Sequence, residues 1–183
     1  MKIIKATPII ALVVVMALAL VPATPNDGTT DAVLSVGQIE GDVGSEVTIP
    51  VSLSGNTGFA SAEFQIGYDA DVLEYKGSTV GTEYGEQFLT IFKVTASGTG
   101  ESAALKYALL MEDPDDTLRV EDITGDGILL NVTFPVLSSD KDACSITPDI
   151  GTRGYFADKN DDDMGVTCIA GSLTIPTYDI VFK

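Results

Sequence analysis

Residues 47–53 read VTIPVSL, so apolar and polar side chains alternate over seven positions. Successive side chains of a β-strand point to opposite faces of a sheet, and this alternation therefore predicts a half-buried strand. The same period of two recurs at residues 62–68 (AEFQIGY), in part at 128–136, and at 166–175. A period of two, rather than the 3.6 of an amphipathic helix, predicts a chain built from strands.

Clusters that contain glycine, aspartate or asparagine separate these stretches, at residues 41–42, 54–56, 98–100 and 125–127. Such clusters are typical of turns. Many short strands at regular spacing predict an all-β fold, an antiparallel β-sandwich or jelly roll. The sequence shows neither a long helical pattern nor an internal repeat.

The composition excludes several classes of function. The chain has 183 residues, 10 Lys and Arg, 27 Asp and Glu, no His and no Trp, and its net charge is −17. The absence of His excludes the common His-dependent catalytic groups and His-ligated zinc. The charge has the wrong sign for nucleic acid or an anionic membrane surface. A cation, or a partner rich in Lys and Arg, fits the sign better.

The N-terminus has the features of a secretory signal peptide. Two lysines precede an uncharged run of 13 residues, 9–21, and small residues follow at the expected cleavage site after Ala23. The run is shorter than the roughly 20 residues that span a bilayer, which argues against a transmembrane anchor. We therefore expect a secreted protein without membrane insertion, in which cleavage changes the net charge to −19.

The predicted organisation is a signal peptide at 1–23, a polar linker at 24–31, one β-sandwich domain at 32–176 and a tail at 177–183. The two cysteines, Cys144 and Cys168, remain after cleavage. In an exported protein such a pair favours one disulfide, although two buried free thiols are the alternative because spacing does not give geometry.

One predicted strand is ambiguous. In residues 103–111 (AALKYALLM) both alternating sets of side chains are largely apolar. A central strand buried on both sides would explain this pattern. An apolar face that docks a partner would explain it as well.

The order of segments resembles the cohesin domains of cellulosome scaffoldins and their non-cellulosomal relatives. The resemblance runs from about Val33 to Ile175. It depends on an opening hairpin at 33–53, the stretch AEFQIGYDADVLE at 62–74, the stretch GDGILLNVTF at 125–134, and GYFAD at 154–158. Each motif is weak alone, and their order and spacing make the combination specific.

The resemblance implies a nine-stranded jelly roll, monomeric by itself and not an enzyme, that binds dockerin modules. The calcium in such a pair belongs to the dockerin, so no cofactor is expected on this chain. The docking surface in the family is a flat sheet of the third, fifth, sixth and eighth strands. A rigid platform of strands loses little entropy on binding.

Carried over residue by residue, the resemblance implies a set of partner contacts. On the strand at 61–68 the outward residues would be Ser61, Glu63 and Gln65. On the other strands and their ends, the implied contacts are Ile91, Lys93, Tyr107, Leu109, Met111, Glu112 and Asp113. An outward Tyr107 and Leu109 would leave Lys106 facing inward, which is awkward for a charged side chain.

The loop at 158–163 (DKNDDD) has four carboxylates in six residues. The resemblance places it near the docking sheet, where Asp161 would meet a basic residue of a partner. Oxygen ligands at this density also make Asp158, Asn160 and Asp162 a weak candidate calcium site. The plainer interpretation is a solvated loop with no metal.

Two other functions stay open at the level of sequence. A carbohydrate-binding module shares the sandwich class, but the absence of Trp weakens it because flat sugar-binding surfaces depend on aromatic stacking. A structural or adhesive surface domain is the other alternative. Dockerin binding predicts calcium-dependent capture by a dockerin, carbohydrate binding predicts retention on cellulose or chitin, and the structural role predicts neither.

Overall fold

The computed structural model describes residues 31–87, 89–111, 121–138 and 141–176. Within these residues the chain forms twelve β-strands, a four-residue helix α1 (Thr82–Gly85) and a 3-10 turn at Gly100–Ser102. The strands are β1 (Ala32–Val36), β2 (Gln38–Glu40), β3 (Glu46–Ser54), β4 (Ser61–Tyr68), β5 (Gly77–Val80), β6 (Leu89–Ser97), β7 (Ala103–Met111), β8 (Gly127–Pro135), β9 (Ala143–Asp149), β10 (Tyr155–Ala157), β11 (Val166–Ile169) and β12 (Gly171–Thr174).

The strands form two packed sheets. Sheet 1 has the order β11-β1-β3-β8-β5, and sheet 2 has the order β2-β12-β9-β4-β7-β6, with β10 paired to β4 beside β9. The predicted all-β sandwich is confirmed. The pairs β1–β11 and β2–β12 are parallel, so both sheets are mixed rather than purely antiparallel. The described strands outnumber the expected nine because three-residue strands such as β2 and β10 are too short to show a period of two.

The hydrophobic core lies between the two sheets. On β3, every second residue from Val47 to Leu53 is buried, and on β4 the side chains of Ala62, Phe64 and Ile66 are buried as well. Each fully buried large side chain stabilises the fold by roughly 1.5–3 kcal/mol relative to an exposed one. The alternation that predicted these two strands therefore also sets which of their faces is buried.

Aromatic side chains pack directly beneath the middle of sheet 2. The ring of Phe64 stacks on Tyr107 at 5.5 Å and on Phe156 at 5.7 Å, measured between centroids. The Tyr107 hydroxyl lies 2.6 Å from the Ser78 hydroxyl of β5, which joins sheet 2 to sheet 1. Burial raises the pKa of Tyr107, so the hydroxyl stays protonated. These contacts hold β4, β7 and β10 firmly from the inner side.

Several of the predicted segments lie outside the described residues. These are the signal peptide at 1–23, most of the linker at 24–31, the tail at 177–183, and the candidate contacts Glu112 and Asp113. In the part of the chain that the structure describes, no helix has the length and the apolar character needed to span a membrane.

Candidate functional site

The outer face of sheet 2 is the solvent-facing side of β4, β7 and β6, bordered by β10. Strand pairing aligns its side chains in rows: Ser61 with Leu110 and Thr90, Glu63 with Ala108 and Lys93, and Gln65 with Lys106 and Thr95. Large apolar side chains are exposed here, at Phe92 (70%), Leu110 (37%) and Tyr155 (37%). Surface of this kind commonly marks an interaction site.

On β4 the predicted orientation is confirmed. Glu63 is exposed, Ser61 and Gln65 are half-buried, and the intervening side chains are in the core. The Gln65 side-chain amide donates a hydrogen bond of 2.7 Å to Asp149 on the neighbouring β9. Tyr155 of β10 pairs with Glu63, so its ring extends the same face by one strand. Contact of these residues with a partner stays a prediction.

On β7 the predicted orientation is wrong. Tyr107 and Leu109 are each 1% exposed and Met111 packs against the core, while Lys106 and Leu110 are exposed. The bulky set beginning at Leu105 fills the sandwich because burying it removes the most apolar surface from water. The side chain that predicts this register is Lys106, because a charged group without a buried partner does not face a core.

On β6 an irregularity changes which side chains face out. The ladder to β7 pairs Ile91 with Leu109 and then Lys93 with Ala108, so Phe92 is an extra residue, a β-bulge. Ile91 therefore packs against the core, contrary to its predicted outward position, whereas Lys93 is exposed as predicted. Phe92 is the most exposed large apolar side chain among the described residues. The adjacent apolar pair Ile91-Phe92 breaks the alternation and is the sequence signal that indicates it.

The family model of the cohesin domain matches this chain over residues 32–175. The chain belongs to the cohesin domain family. The matched residues contain all twelve described strands, and within sheet 2 the strands β9, β4, β7 and β6 are neighbours, with β10 paired to β4.

Individual relatives agree with this assignment. The cohesin domain is 30% identical over 156 residues to "Cellulose-binding protein A" of Clostridium cellulovorans, covering 85% of this chain and 8% of that protein's length. Its fold is similar to the sixth cohesin of scaffoldin B from Acetivibrio cellulolyticus, solved in complex with a Cel5 dockerin mutant (TM-score 0.61, 23% identity, covering 80% of this chain and 100% of that one). It is also similar to the non-cellulosomal cohesin of the archaeon Archaeoglobus fulgidus (TM-score 0.60, 20% identity, covering 81% and 93%). At these identities the two structural matches show the fold alone.

The cysteines of this cohesin domain are not bridged, so the favoured disulfide is not formed. Cys144 is near the start of β9, whereas the thiol of Cys168 lies by the backbone of Ile150, beyond the other end of that strand. Five residues of strand extend about 16 Å, and a disulfide needs Cα atoms within roughly 7 Å. Burial raises the pKa of both thiols, which lowers their reactivity.

The loop at 158–163 begins directly after Ala157, which pairs with Ser61 at the border of the outer face of sheet 2. The Asp158 carboxylate accepts hydrogen bonds from the backbone N–H groups of Asn160 and Asp162 at 2.7 and 2.9 Å, and these bonds lower its pKa. Asp161 is exposed and has a positive φ of 65°. Among the described residues no group of three or more acidic or cysteine side chains is arranged to hold a metal ion.

A partly buried ion pair lies at one end of sheet 2. The Lys141 ammonium donates a hydrogen bond of 2.7 Å to Asp69, a buried carboxylate directly after β4, and also contacts Glu101. The hydrogen bond from Lys141 lowers the pKa of Asp69, and the two carboxylates raise the pKa of Lys141. The buried Asp69 carboxylate thus has its counter-charge within the fold, and removal of Lys141 would leave it buried without that partner.

Proposed function

We propose that this cohesin domain is an exported, non-catalytic recognition module that binds a dockerin-bearing protein through the outer face of sheet 2. The observation that carries the proposal is the grouping of Phe92, Leu110 and Tyr155 on one face, whose inner side packs against the rings of Phe64, Tyr107 and Phe156. Exposed aromatic and aliphatic side chains of this kind are the usual anchors of protein interfaces. A solved cohesin with a similar fold was crystallised with a dockerin.

The test is binding to a panel of purified dockerins, measured by calorimetry with the matched variants Phe92→Ala and Ile169→Ala. Ile169 is exposed, but it pairs with Ser35 at the edge of sheet 1. We expect at least one dockerin to bind, and Phe92→Ala to weaken that binding by about tenfold or more, as truncation of an anchor residue does. Ile169→Ala should leave the dissociation constant unchanged.

Failure of every dockerin to bind would overturn the proposal. Equal effects of Phe92→Ala and Ile169→Ala would overturn the assignment of the face while leaving dockerin binding intact. Retention on insoluble cellulose or chitin, lost when Tyr155 is replaced by Ala, would instead support the carbohydrate-binding alternative.

Calcium is proposed as a requirement of the partner and not of this chain. In the described residues the acidic loop at 158–163 closes through its own backbone, which gives Asp158 a structural role without metal. A chelator should therefore abolish capture of the dockerin and leave the thermal unfolding midpoint of the isolated domain unchanged. A midpoint that falls on chelation would assign a calcium ion to this chain.

Export is proposed from the N-terminal sequence, which has a basic start, an apolar run of 13 residues and small residues before Thr24. Expression of the full chain in a bacterial host with a secretion pathway tests it. We expect the protein in the exported fraction with a mass that corresponds to a start at Thr24. An uncleaved chain in the membrane fraction would show an anchor instead.

A further inference from the structure

The outer face of sheet 2 is unusual in this acidic protein because, among the described residues, its two lysines have no carboxylate as an ion-pair partner. Elsewhere in the described residues, Lys76 contacts Glu46, Lys141 contacts Asp69 and Glu101, and Lys159 contacts Glu121. In contrast, Lys93 and Lys106 make no ion pair with any described carboxylate, although acidic residues outnumber basic ones in this chain by 27 to 10.

Strand pairing brings these two lysines close together. Lys106 on β7 is opposite Thr95 on β6, and Lys93 is opposite Ala108, so the two lysines are diagonal neighbours on one face. Diagonal neighbours on adjacent strands lie roughly 7–8 Å apart. The two positively charged side chains that begin at these positions repel each other, and an anionic group placed between them would relieve the repulsion.

The acidic groups of the face lie on its other side. Glu63 on β4 is in the same row as Lys93, separated from it by the small side chain of Ala108. Asp149, further along, already accepts the hydrogen bond from Gln65. The described face therefore carries two lysines on β6 and β7 and one carboxylate, Glu63, on β4, with Phe92 and Leu110 beside the lysines.

We infer that the partner docks in one orientation, with a carboxylate-bearing side chain over Lys93 and Lys106, an apolar side chain against Phe92 and Leu110, and a cationic side chain towards Glu63. This inference rests on the proposed function and adds the chemistry of the partner's surface. It also reverses, for the part of the face on β6 and β7, the expectation of a basic partner that the net charge of the chain suggests. Complementary charge fixes register and orientation and raises the association rate.

The experiment uses a dockerin that binds the wild-type domain and three charge reversals of the domain. Lys93→Glu and Lys106→Glu change the face, and Lys76→Glu makes the same change of charge on the other side of the molecule, where Lys76 is exposed beside sheet 1. Thermal unfolding confirms that each variant is folded. We expect Lys93→Glu and Lys106→Glu each to raise the dissociation constant by tenfold or more at low salt, and Lys76→Glu to change it by less than twofold.

A second arm tests the orientation. Glu63→Lys should also weaken binding, and exchanging the polarity of the face in the double variant Glu63→Lys/Lys93→Glu should not restore it, because the partner's charges stay in place. Unchanged or tighter binding of both lysine variants would overturn the inference. If Phe92→Ala still weakens binding in that case, the proposed face stands and only the partner chemistry is wrong. If no dockerin binds the wild-type domain, both proposals fail.

Discussion

The two outer faces of the sandwich come from the same strand pattern and differ in what they present to solvent. The outer face of sheet 1 carries the exposed ion pair of Glu46 and Lys76, and the hydroxyls of Thr48 on β3 and Thr133 on β8 lie 3.2 Å apart. Its exposed large side chain is at the edge, at Ile169. The outer face of sheet 2 carries Phe92 on its edge strand β6 and Leu110 on β7, together with Lys93 and Lys106, which form no ion pair with any described carboxylate. Alternation shows which faces meet water, and the size and charge of the outward residues are what favour the outer face of sheet 2 as the proposed binding surface.

The largest effect should come from adjacent leucines on β7. Leu109 is buried against the core and Leu110 is exposed, so Leu109→Ala should lower the free energy of unfolding by about 2–5 kcal/mol, as cavity-forming substitutions do. Leu110→Ala removes the same atoms from the outer face of sheet 2. It should cost less than about 1 kcal/mol and should weaken partner binding instead. Urea denaturation measures both, and equal losses of stability would contradict the register of β7.

The second prediction compares the Lys141–Asp69 ion pair next to sheet 2 with the Lys76–Glu46 ion pair beside sheet 1. The pKa of Asp69, next to sheet 2, is held below its ordinary value of 3.8, so the stability that it contributes is present above that pH and is lost as the pH falls through its folded pKa. We expect the urea midpoint of the wild-type domain to fall below about pH 4, and Asp69→Asn to be less stable at pH 7 with a shallower acid decline. Glu46→Gln, at the exposed pair beside sheet 1, should change little. An unchanged acid profile in Asp69→Asn would contradict this role.

The third test uses one thiol from each sheet. Cys144 belongs to sheet 2 and Cys168 to sheet 1, both are free, and burial raises both pKa values. Iodoacetamide should therefore label the native domain slowly, with partly buried Cys168 ahead of buried Cys144, and should label both rapidly in denaturant without reductant. Mass spectrometry of Cys168→Ser assigns the rates. A non-reduced mass two hydrogens lower would show a disulfide and a closer approach of the two strands than the structure has.

The smallest effect is expected on the outer face of sheet 1. Thr48→Ala removes one of two exposed hydroxyls that contact each other, and it should change the free energy of unfolding by less than about 0.5 kcal/mol. Partner binding should not change. A loss of dockerin affinity in this variant would show that sheet 1 contributes to the interface. It would contradict the prediction that only the outer face of sheet 2 contacts the partner.

The sequence predicts the sandwich and the orientation of β4 because large apolar and polar residues separate cleanly there, with Phe64 and Ile66 on one side and Glu63 and Gln65 on the other. It fails on β7 because both alternating sets are apolar and the outward set is marked mainly by Lys106. The family resemblance does not correct this error, since it aligns segments and not side-chain directions.

The remaining errors have other causes. The adjacent apolar pair Ile91-Phe92 indicates an irregularity in β6, but the bulge itself is a property of hydrogen bonding between two strands, so the pair alone does not show which residue is the extra one. The number of cysteines and the expected compartment favour a disulfide. Its formation depends instead on the distance between Cys144 on β9 and Cys168 on β11, which those two observations do not give. Each failure concerns a relation between distant segments.

The bulge gives β6 one residue more than the row of paired residues that joins it to β7. Phe92 occupies a position that no residue of β7 opposes, so removing it would leave the pairing of Ile91 with Leu109 and of Lys93 with Ala108 in place. Deletion of Phe92 would thus remove an exposed aromatic ring while the pairs on either side keep their register. A lineage of such domains therefore has a way to change this exposed surface by changing the number of residues in one strand.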